Sequence, residues 1–136
     1  MEPEDFVHVL NNMVGAVMPG GVVLDLQVIR PNPVVESDAR VLCEVDGESL
    51  LREADAAARA VDSLVGDGLL VEEAVDDHDV RKHYRTGSDL VEDFAGKERR
   101  LPDEAVAGLN TLMRPCVVRE RCRLRRLRVG GNDLRS

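Results

Sequence analysis

The most constraining feature of the sequence is the segment Met13–Pro31, in which a Pro-Gly-Gly triplet separates two apolar runs. Before Pro19 the apolar residues recur at helical spacing, and after Gly21 the chain continues as VVLDLQVI. A glycine-containing stop followed by a short, continuous apolar run predicts a helix, a sharp turn and a strand buried on both faces. The segment therefore predicts one half-unit of a parallel α/β sheet.

A helix is predicted before this triplet and a strand after it. The helix begins at Pro3 or Glu4, because proline suits the first helical position and acidic residues suit the first turn. Its apolar stripe is spaced at helical intervals and consists of Phe6, Leu10, Met13, Val14 and Val17. The strand covers Val22–Ile29, and a loop is expected after it because Pro31 and Pro33 cannot extend a sheet interior.

The middle of the chain alternates between apolar runs and glycine-rich punctuation. A short strand is expected at Ala39–Val45, and a helix at Leu51–Val65, whose alanine-rich centre has high helix propensity. Gly66 to Gly68 cap that helix, and a second strand starts at Leu69 and can continue past Asp76.

Two short helices and a long strand complete the predicted elements. Ser88 is expected to cap a helix at Asp89–Ala95. The next helix opens at Leu101, and four of its residues are expected to face inward: Val106, Leu109, Leu112 and Met113. The last strand is Cys116–Val129.

The last strand carries a row of arginines. Its predicted apolar face holds Cys116, Val118, Cys122 and Leu124, and its other face holds Arg119, Arg121, Arg123 and Arg125. This alternation breaks near Arg125, which predicts either a bulge there or burial of the strand end on its other side.

These elements predict an α/β fold in one domain, residues 1–129, with a disordered tail at 130–136. Three main strands form a small mixed sheet in the order 1-3-2, counted along the chain, with the last strand antiparallel and flanking helices completing three layers. Aromatic residues make up only 2% of the chain, so the core is expected to consist of valine, leucine and alanine.

The charge of the chain is strongly asymmetric. The net charge is −8, yet residues 114–136 hold eight arginines against two acids, which leaves −14 for the first 113 residues. An acidic chain with few aromatic residues is a poor candidate for nucleic-acid binding, and it repels anionic membranes. No apolar run approaches the length of a membrane span, so we expect neither nucleic acid nor membrane as a partner.

The cysteines and the N-terminus indicate a cytoplasmic protein. Cys43, Cys116 and Cys122 are odd in number and lack motif spacing, which is typical of reduced thiols that pack as small apolar residues. The N-terminal residues MEPEDF are acidic, whereas a secretory signal begins with basic residues.

The order of the predicted elements, together with AVMPGGVVLDLQVIRP, resembles the C-terminal half of class I S-adenosylmethionine-dependent methyltransferases, a Rossmann-like family. The segment is similar to that family's leader helix, Pro-Gly-Gly turn and fifth strand. Leu69–Val75 then corresponds to the sixth strand, and RPCVVRERCRLRRLRV resembles the seventh, which lies antiparallel between the fifth and sixth. The resemblance covers roughly residues 5–129.

The cofactor-binding half of that family has no counterpart in the sequence. The family binds its cofactor with a glycine-rich loop after the first strand and an acidic residue ending the second. Here the similarity starts at the helix before the fifth strand, and Gly66-Asp67-Gly68 follows a helix rather than a strand. The resemblance therefore implies no cofactor and no assignable catalytic residue; it favours a chain that is not an enzyme and leaves an enzymatic role open.

The segment after the first strand is the expected place for a small ligand, because ligands of open α/β sheets gather beyond the carboxyl ends of strands. The candidate residues in this segment are Arg30, Asn32, Glu36 and Asp38. A metal site at Asp76, Asp77, His78, Asp79 and His83 is disfavoured, since His78 and His83 point to opposite faces of an extended strand. These acids are better explained as partners of the arginine row, through pairing of the last two strands.

A three-strand sheet leaves the first strand with a free edge, which in the full family fold is covered by another strand. A valine-rich edge is a template for pairing, and a second copy covers it most simply. The sequence therefore predicts a homodimer through the edge residues Val22, Leu24, Leu26 and Val28.

Two classes of function follow from these expectations. The first is a non-catalytic, methyltransferase-like interaction or regulatory module. The alternative is an enzyme component: a split methyltransferase whose cofactor half is a separate chain, or an enzyme with a small-molecule site at residues 30–38.

Overall fold

A computed structural model describes residues 20–130, which form four strands and three helices. The strands are β1 (Val22–Ser37), β2 (Arg40–Glu44), β3 (Leu70–Tyr84) and β4 (Cys116–Val129). The helices are α1 (Glu48–Gly66), α2 (Gly87–Phe94) and α3 (Asp103–Thr111). The helix predicted before Pro19 and the tail after Gly130 lie outside the described residues.

The four strands form one sheet in the order β2-β1-β4-β3. β1 and β2 are antiparallel neighbours, with Val34 opposite Glu44 and Ser37 opposite Arg40. Backbone hydrogen bonds join Gly20 and Gly21 to Val129 at one end of β1 and β4, while Ser37 contacts Pro115 at the other, so these strands are also antiparallel.

β4 and β3 are antiparallel as well, since Gly130 N donates to Leu69 O while Arg121 reaches Asp79. The α/β class is therefore confirmed, but the sheet is antiparallel and has four strands, whereas a mixed sheet of three was predicted.

β1 differs most from the prediction. It continues through Pro31 and Pro33 to Ser37, so the loop expected after Ile29 is wrong. The register of β2 begins at Val34, and just beyond β2 the Val45 N–H donates to Pro33 O at 2.8 Å. Both prolines therefore lie at or past the end of this pairing, where a missing N–H is tolerated. Burial on two faces is also wrong, because Val23 is buried while Leu24 and Leu26 are exposed.

The chain divides into two compact units. The described part of the first unit contains residues 20–27, 52–77 and 123–130, and the second unit contains residues 28–51 and 78–122. β1, β3, β4 and α1 each contribute residues to both units. The single domain predicted for residues 1–129 stays a prediction.

The core of the first unit is aliphatic, as the composition predicts. Its buried residues come from α1 and three strands: Val23, Val61, Leu64, Leu70, Leu127 and Val129. α1 supplies the helical spacing that places Val61 and Leu64 on one face. The helix ends as predicted, with Gly68 at φ +80° and the Leu69 N–H donating to Leu64 O.

The second unit has a core built by α2, α3 and the other halves of the strands. Its buried residues are Val35, Val45, Tyr84, Leu90, Phe94, Leu109, Cys116 and Val118. α2 begins two residues earlier than predicted, because Thr86 rather than Ser88 is the N-cap and its hydroxyl accepts from Asp89 N. The inward position expected for Met113 is wrong, since this side chain is 78% exposed.

The break in alternation predicted near Arg125 is present in β4. Cys116, Val118 and Cys122 are buried at even numbers, whereas Arg125, Leu127 and Val129 are buried at odd numbers. Arg125 therefore belongs to the buried side of the strand end, and its predicted place in the exposed row is wrong.

Within residues 20–130, none of the helices combines the length and the apolar character that crossing a bilayer requires.

Gly87→Ala is expected to destabilise the protein by about 2 kcal/mol or more, because a Cβ at this buried position would lie 2.0 Å from the Leu109 carbonyl oxygen. Gly108→Ala, in α3, is the matched control. A Cβ there meets nothing within 4 Å, so alanine is expected to stabilise the helix by about 0.5–1 kcal/mol. Urea unfolding of both variants provides the test, and similar midpoints for the two would contradict the packing of α2 against α3.

Candidate functional site

The residues predicted to bind a ligand after Ile29 lie on β1 and the turn that follows it, in the second unit. Arg30 forms a bidentate pair with Glu48, with nitrogen–oxygen distances of 2.8 and 3.0 Å. The Asn32 side chain donates to Glu44 at 2.7 Å and accepts from the Gly47 N–H at 3.2 Å. Both side chains therefore tie β1 to the segment around the start of α1.

Glu36 and Asp38 also engage arginines. Arg119 donates twice to Glu36 Oε2, at 3.2 and 2.9 Å, and this hydrogen bonding lowers the pKa of Glu36. Asp38 has a positive φ of 52° and pairs with Arg114. The four residues thus have separate partners. Asn32 and Asp38 line different cavities, of about 370 and 450 Å³.

The predicted dimer edge is largely exposed in the first unit. Val22, Leu24 and Leu26, which we call the β1 apolar row, are 36%, 64% and 58% exposed. Val28, the fourth predicted residue, is half-buried and lines a small cavity of the second unit with Pro31 and Leu50. The structure therefore presents three of the four predicted side chains at the surface.

In the first unit, β4 arginines bind acids of β3, as the sequence predicts. Arg123 donates to both oxygens of Asp77, at 2.8 and 2.9 Å. Arg126 and Arg128 both donate to Glu73, and these two hydrogen bonds lower the pKa of its carboxyl. These pairs join the two strands and help to align them, with Arg126 and Arg128 sharing Glu73.

Arg125 makes a different set of contacts, which the sequence did not indicate. Its side chain is 8% exposed and pairs with Glu72 of β3 at 2.6 Å and with Asp62 of α1 at 2.9 Å. A buried guanidinium needs carboxylate partners, and both are supplied by the elements packed around it. Arg125 therefore links the helix to the strand pair.

In the second unit the same pattern continues with other partners. Arg121 pairs with Asp79 at 3.2 Å, and Arg119 lies 3.8 Å from the same carboxylate in addition to its bond with Glu36. Since Asp77 and Asp79 each bind arginine, two of the acids considered for a metal site have structural partners. Within residues 20–130, no group of three or more His, Cys, Asp or Glu side chains is placed to hold a metal ion.

A cluster around Asp93 was missed by the sequence analysis. The Tyr84 hydroxyl donates to Asp93 Oδ2 at 2.5 Å, and Lys82 and Lys97 donate to the same carboxylate at 3.1 and 3.0 Å. The hydrogen bond from Tyr84, followed by those from the lysines, lowers the pKa of Asp93. Burial, followed by the bond to Asp93, raises the pKa of Tyr84. Of these contacts, the sequence could have indicated only the pair of Asp93 and Lys97, because oppositely charged residues four positions apart are spaced to interact on a helix.

The three cysteines are packing residues in the structure. All are free; Cys116 and Cys122 are buried and Cys43 is half-buried. Burial is the largest cause that raises the pKa of each thiol. A raised pKa lowers the thiolate fraction, which disfavours a nucleophilic role for any of them.

No family model, curated protein or solved structure matches the chain.

Tyr84→Phe is expected to lower the free energy of unfolding near neutral pH, because it removes the hydrogen bond to charged Asp93. The pKa of Asp93 is lowered in the folded state, so this contribution is present above the ordinary aspartate pKa and is lost as pH falls below about 4. Urea titrations of wild type and variant from neutral to acidic pH measure the difference. In an Asp93→Asn background, Tyr84→Phe should lose this pH dependence; an unchanged dependence would contradict the assignment.

Proposed function

We propose that the chain is a non-catalytic, methyltransferase-like interaction module that forms a homodimer through β1. The observation that carries this proposal is the exposure of Leu24 and Leu26 on a strand that has an open side at the same residues. The location we propose is the cytoplasm, in keeping with three free cysteines.

The open side of β1 follows from the sheet order. β1 lies between β2 and β4, but the register of β2 covers only Val34–Ser37. Among the described residues, Val22–Gln27 therefore have a strand neighbour only on the β4 side. Unpaired N–H and C=O groups of an edge pair readily with another strand, and an antiparallel pair of two identical strands has the two-fold symmetry of a closed dimer.

The β1 apolar row supplies the driving force for such pairing. Burial of a leucine side chain contributes about 1.5–3 kcal/mol, and a symmetric dimer would bury Leu24 and Leu26 from both copies. The total is comparable to the lower estimates of the entropic cost of association, which begin at about 4 kcal/mol. Backbone hydrogen bonds between the paired strands contribute further free energy, so we expect a dissociation constant in the micromolar range.

Two further observations support a role in binding rather than catalysis. The arginines of β4 already have carboxylate partners, as at Arg119, Arg123 and Arg128. The cysteine thiols have raised pKa values. The resemblance to the methyltransferase half is supported by the placement of β4 between β1 and β3, as the family's seventh strand lies between its neighbours.

The double substitution Leu24→Glu/Leu26→Glu is expected to abolish dimerisation, because four carboxylates would face each other across the paired strands. Light scattering of the full chain at about 100 µM should give twice the 15.0 kDa chain mass for wild type and the single mass for the variant. Met113→Glu changes an exposed apolar residue elsewhere and should leave the dimer intact. A wild type of single mass would overturn the proposal.

S-adenosylmethionine is expected to leave the unfolding temperature of the full chain unchanged, because no glycine loop of the family is present in the sequence. A ligand that binds only the folded state raises this temperature with its concentration. A thermal shift that grows with S-adenosylmethionine would contradict a non-catalytic module. It would favour the enzyme alternative instead.

A further inference from the structure

The turn between β1 and β2 shapes a positively charged notch in the second unit. Asp38 and Ala39 form the turn with φ values of 52° and 63°, a left-handed conformation that twists a tight hairpin. The notch has a volume of about 450 Å³ and is lined by Ser37, Asp38, Arg40, Leu42 and Arg114. We call it the Arg40 notch.

Of the two arginines in the Arg40 notch, Arg40 is the one whose guanidinium is available to bind an anion. Arg114 pairs with Asp38, and both side chains are more than 60% exposed. Arg40 is exposed and forms no ion pair with any residue in the range 20–130. The notch therefore carries a local positive charge on a chain whose net charge is −8, which favours an anionic group at this place.

An apolar groove adjoins the notch. The groove has a volume of about 290 Å³ and is lined by Leu42, Cys43, Glu104, Ala105, Gly108, Leu109 and Leu112. Leu42 is 44% exposed and lines both cavities, so the Arg40 notch and the apolar groove are neighbours that share this side chain. A ligand that fills both must carry an anion and an apolar group close together.

The strand beside the groove is also able to accept an extended chain. β2 is the outermost strand on its side of the sheet. Just beyond it, the outer side of Asp46 already pairs with Arg100, through hydrogen bonds of 2.8 and 2.9 Å between their backbones. An extended segment laid along this edge would therefore continue a pairing that the chain itself begins.

We propose that the Arg40 notch and the apolar groove together bind the C-terminal end of a partner polypeptide whose last side chain is aliphatic. A terminal residue carries its carboxylate on the same Cα as its side chain, which suits two adjoining cavities that share Leu42. The carboxylate accepts charge-assisted hydrogen bonds from Arg40 and Arg114, and the side chain enters the groove beside Leu109 and Leu112. A phosphate ion or an acidic side chain could pair with Arg40, but neither has an aliphatic group to fill the apolar groove.

This site is independent of the dimer proposed above. Its lining residues all belong to the second unit, whereas the β1 apolar row belongs to the first. The interaction module would thus have one surface for its own copy and another for a partner's terminus. Leu24→Glu/Leu26→Glu should leave peptide binding intact, so the two proposals can fail separately.

A titration of the full chain, followed by the amide signals in NMR spectra, tests the site with N-acetyl-Val-Leu as the probe. The peptide with a free carboxylate should shift the amides of Arg40, Leu42, Leu109 and Arg114 at concentrations up to about 1 mM. The same peptide with an amidated terminus should bind about tenfold more weakly or worse, because it lacks the charge that Arg40 recognises.

Arg40→Ala should weaken binding of the free acid about tenfold, whereas Arg85→Ala removes an exposed arginine outside the notch and should not change it. Leu109 is part of the buried core, so Leu42→Ser tests the groove instead and should weaken binding of both peptides. Three results would each overturn the proposal. They are the absence of amide shifts at about 1 mM peptide, equal binding of the acid and the amide, and displacement of the peptide by inorganic phosphate together with unchanged peptide binding in Leu42→Ser.

Discussion

The fold depends on the accommodation of β4, a strand with six arginines, between two neighbours in the sheet. A central strand with this charge requires carboxylates on both sides, and Glu36 on β1 and Asp77 and Asp79 on β3 provide them. Exposed ion pairs add little to stability, because water solvates the separated charges well. They set register, since a slip of one residue would place every arginine on the opposite face.

Arg125 also requires carboxylate partners, and its requirement is stricter because its side chain is buried. Its partners, Asp62 and Glu72, come from α1 and β3, so the position of the helix on the strands is fixed by charge as well as by apolar packing. Removal of one partner would leave a poorly solvated charge, which is why such a group specifies one arrangement.

Patterns that act within one element were readable from the sequence. The residues of α1 were predicted nearly to their ends, β4 was predicted with its exact bounds, and its arginines were matched to acids near Leu69. Each of these features rests on periodicity, composition or charge over a few neighbouring residues.

Features that depend on distant residues were not readable. β1 passes through Pro31 and Pro33 because β2 pairs only beyond them, and the extent of β2 is a tertiary fact. The Tyr84–Asp93 contact joins β3 to α2, and the Arg40 notch joins a turn to Arg114, which lies 74 positions later in the sequence. The ligand-site residues Arg30 and Glu36 were chosen for their place after a strand, yet both lie on β1 and each is held in an ion pair, Arg30 with Glu48 of α1 and Glu36 with Arg119 of β4.

The pairing of the β4 arginines with carboxylates also bears on which surfaces we propose for binding. Because the charges of β4 are largely satisfied, we propose that recognition uses two other surfaces of residues 20–130: the β1 edge with its exposed leucines, and the Arg40 notch, whose guanidinium forms no ion pair within that range. Both are suited to polypeptides, which offer backbone groups, aliphatic side chains and a terminal carboxylate. These features support our proposal that the chain acts through protein contacts.

Residue-resolved hydrogen exchange of the full chain, measured well above and well below the dissociation constant expected for the proposed dimer, tests this account most directly. The outward-facing amides of Val22–Gln27 should exchange at least about tenfold more slowly in the concentrated sample, because a second copy pairs with them, while those of Arg40–Glu44 should not change. Equal exchange of Val22–Gln27 at both concentrations, or slowing confined to Leu70–Tyr84, would contradict it.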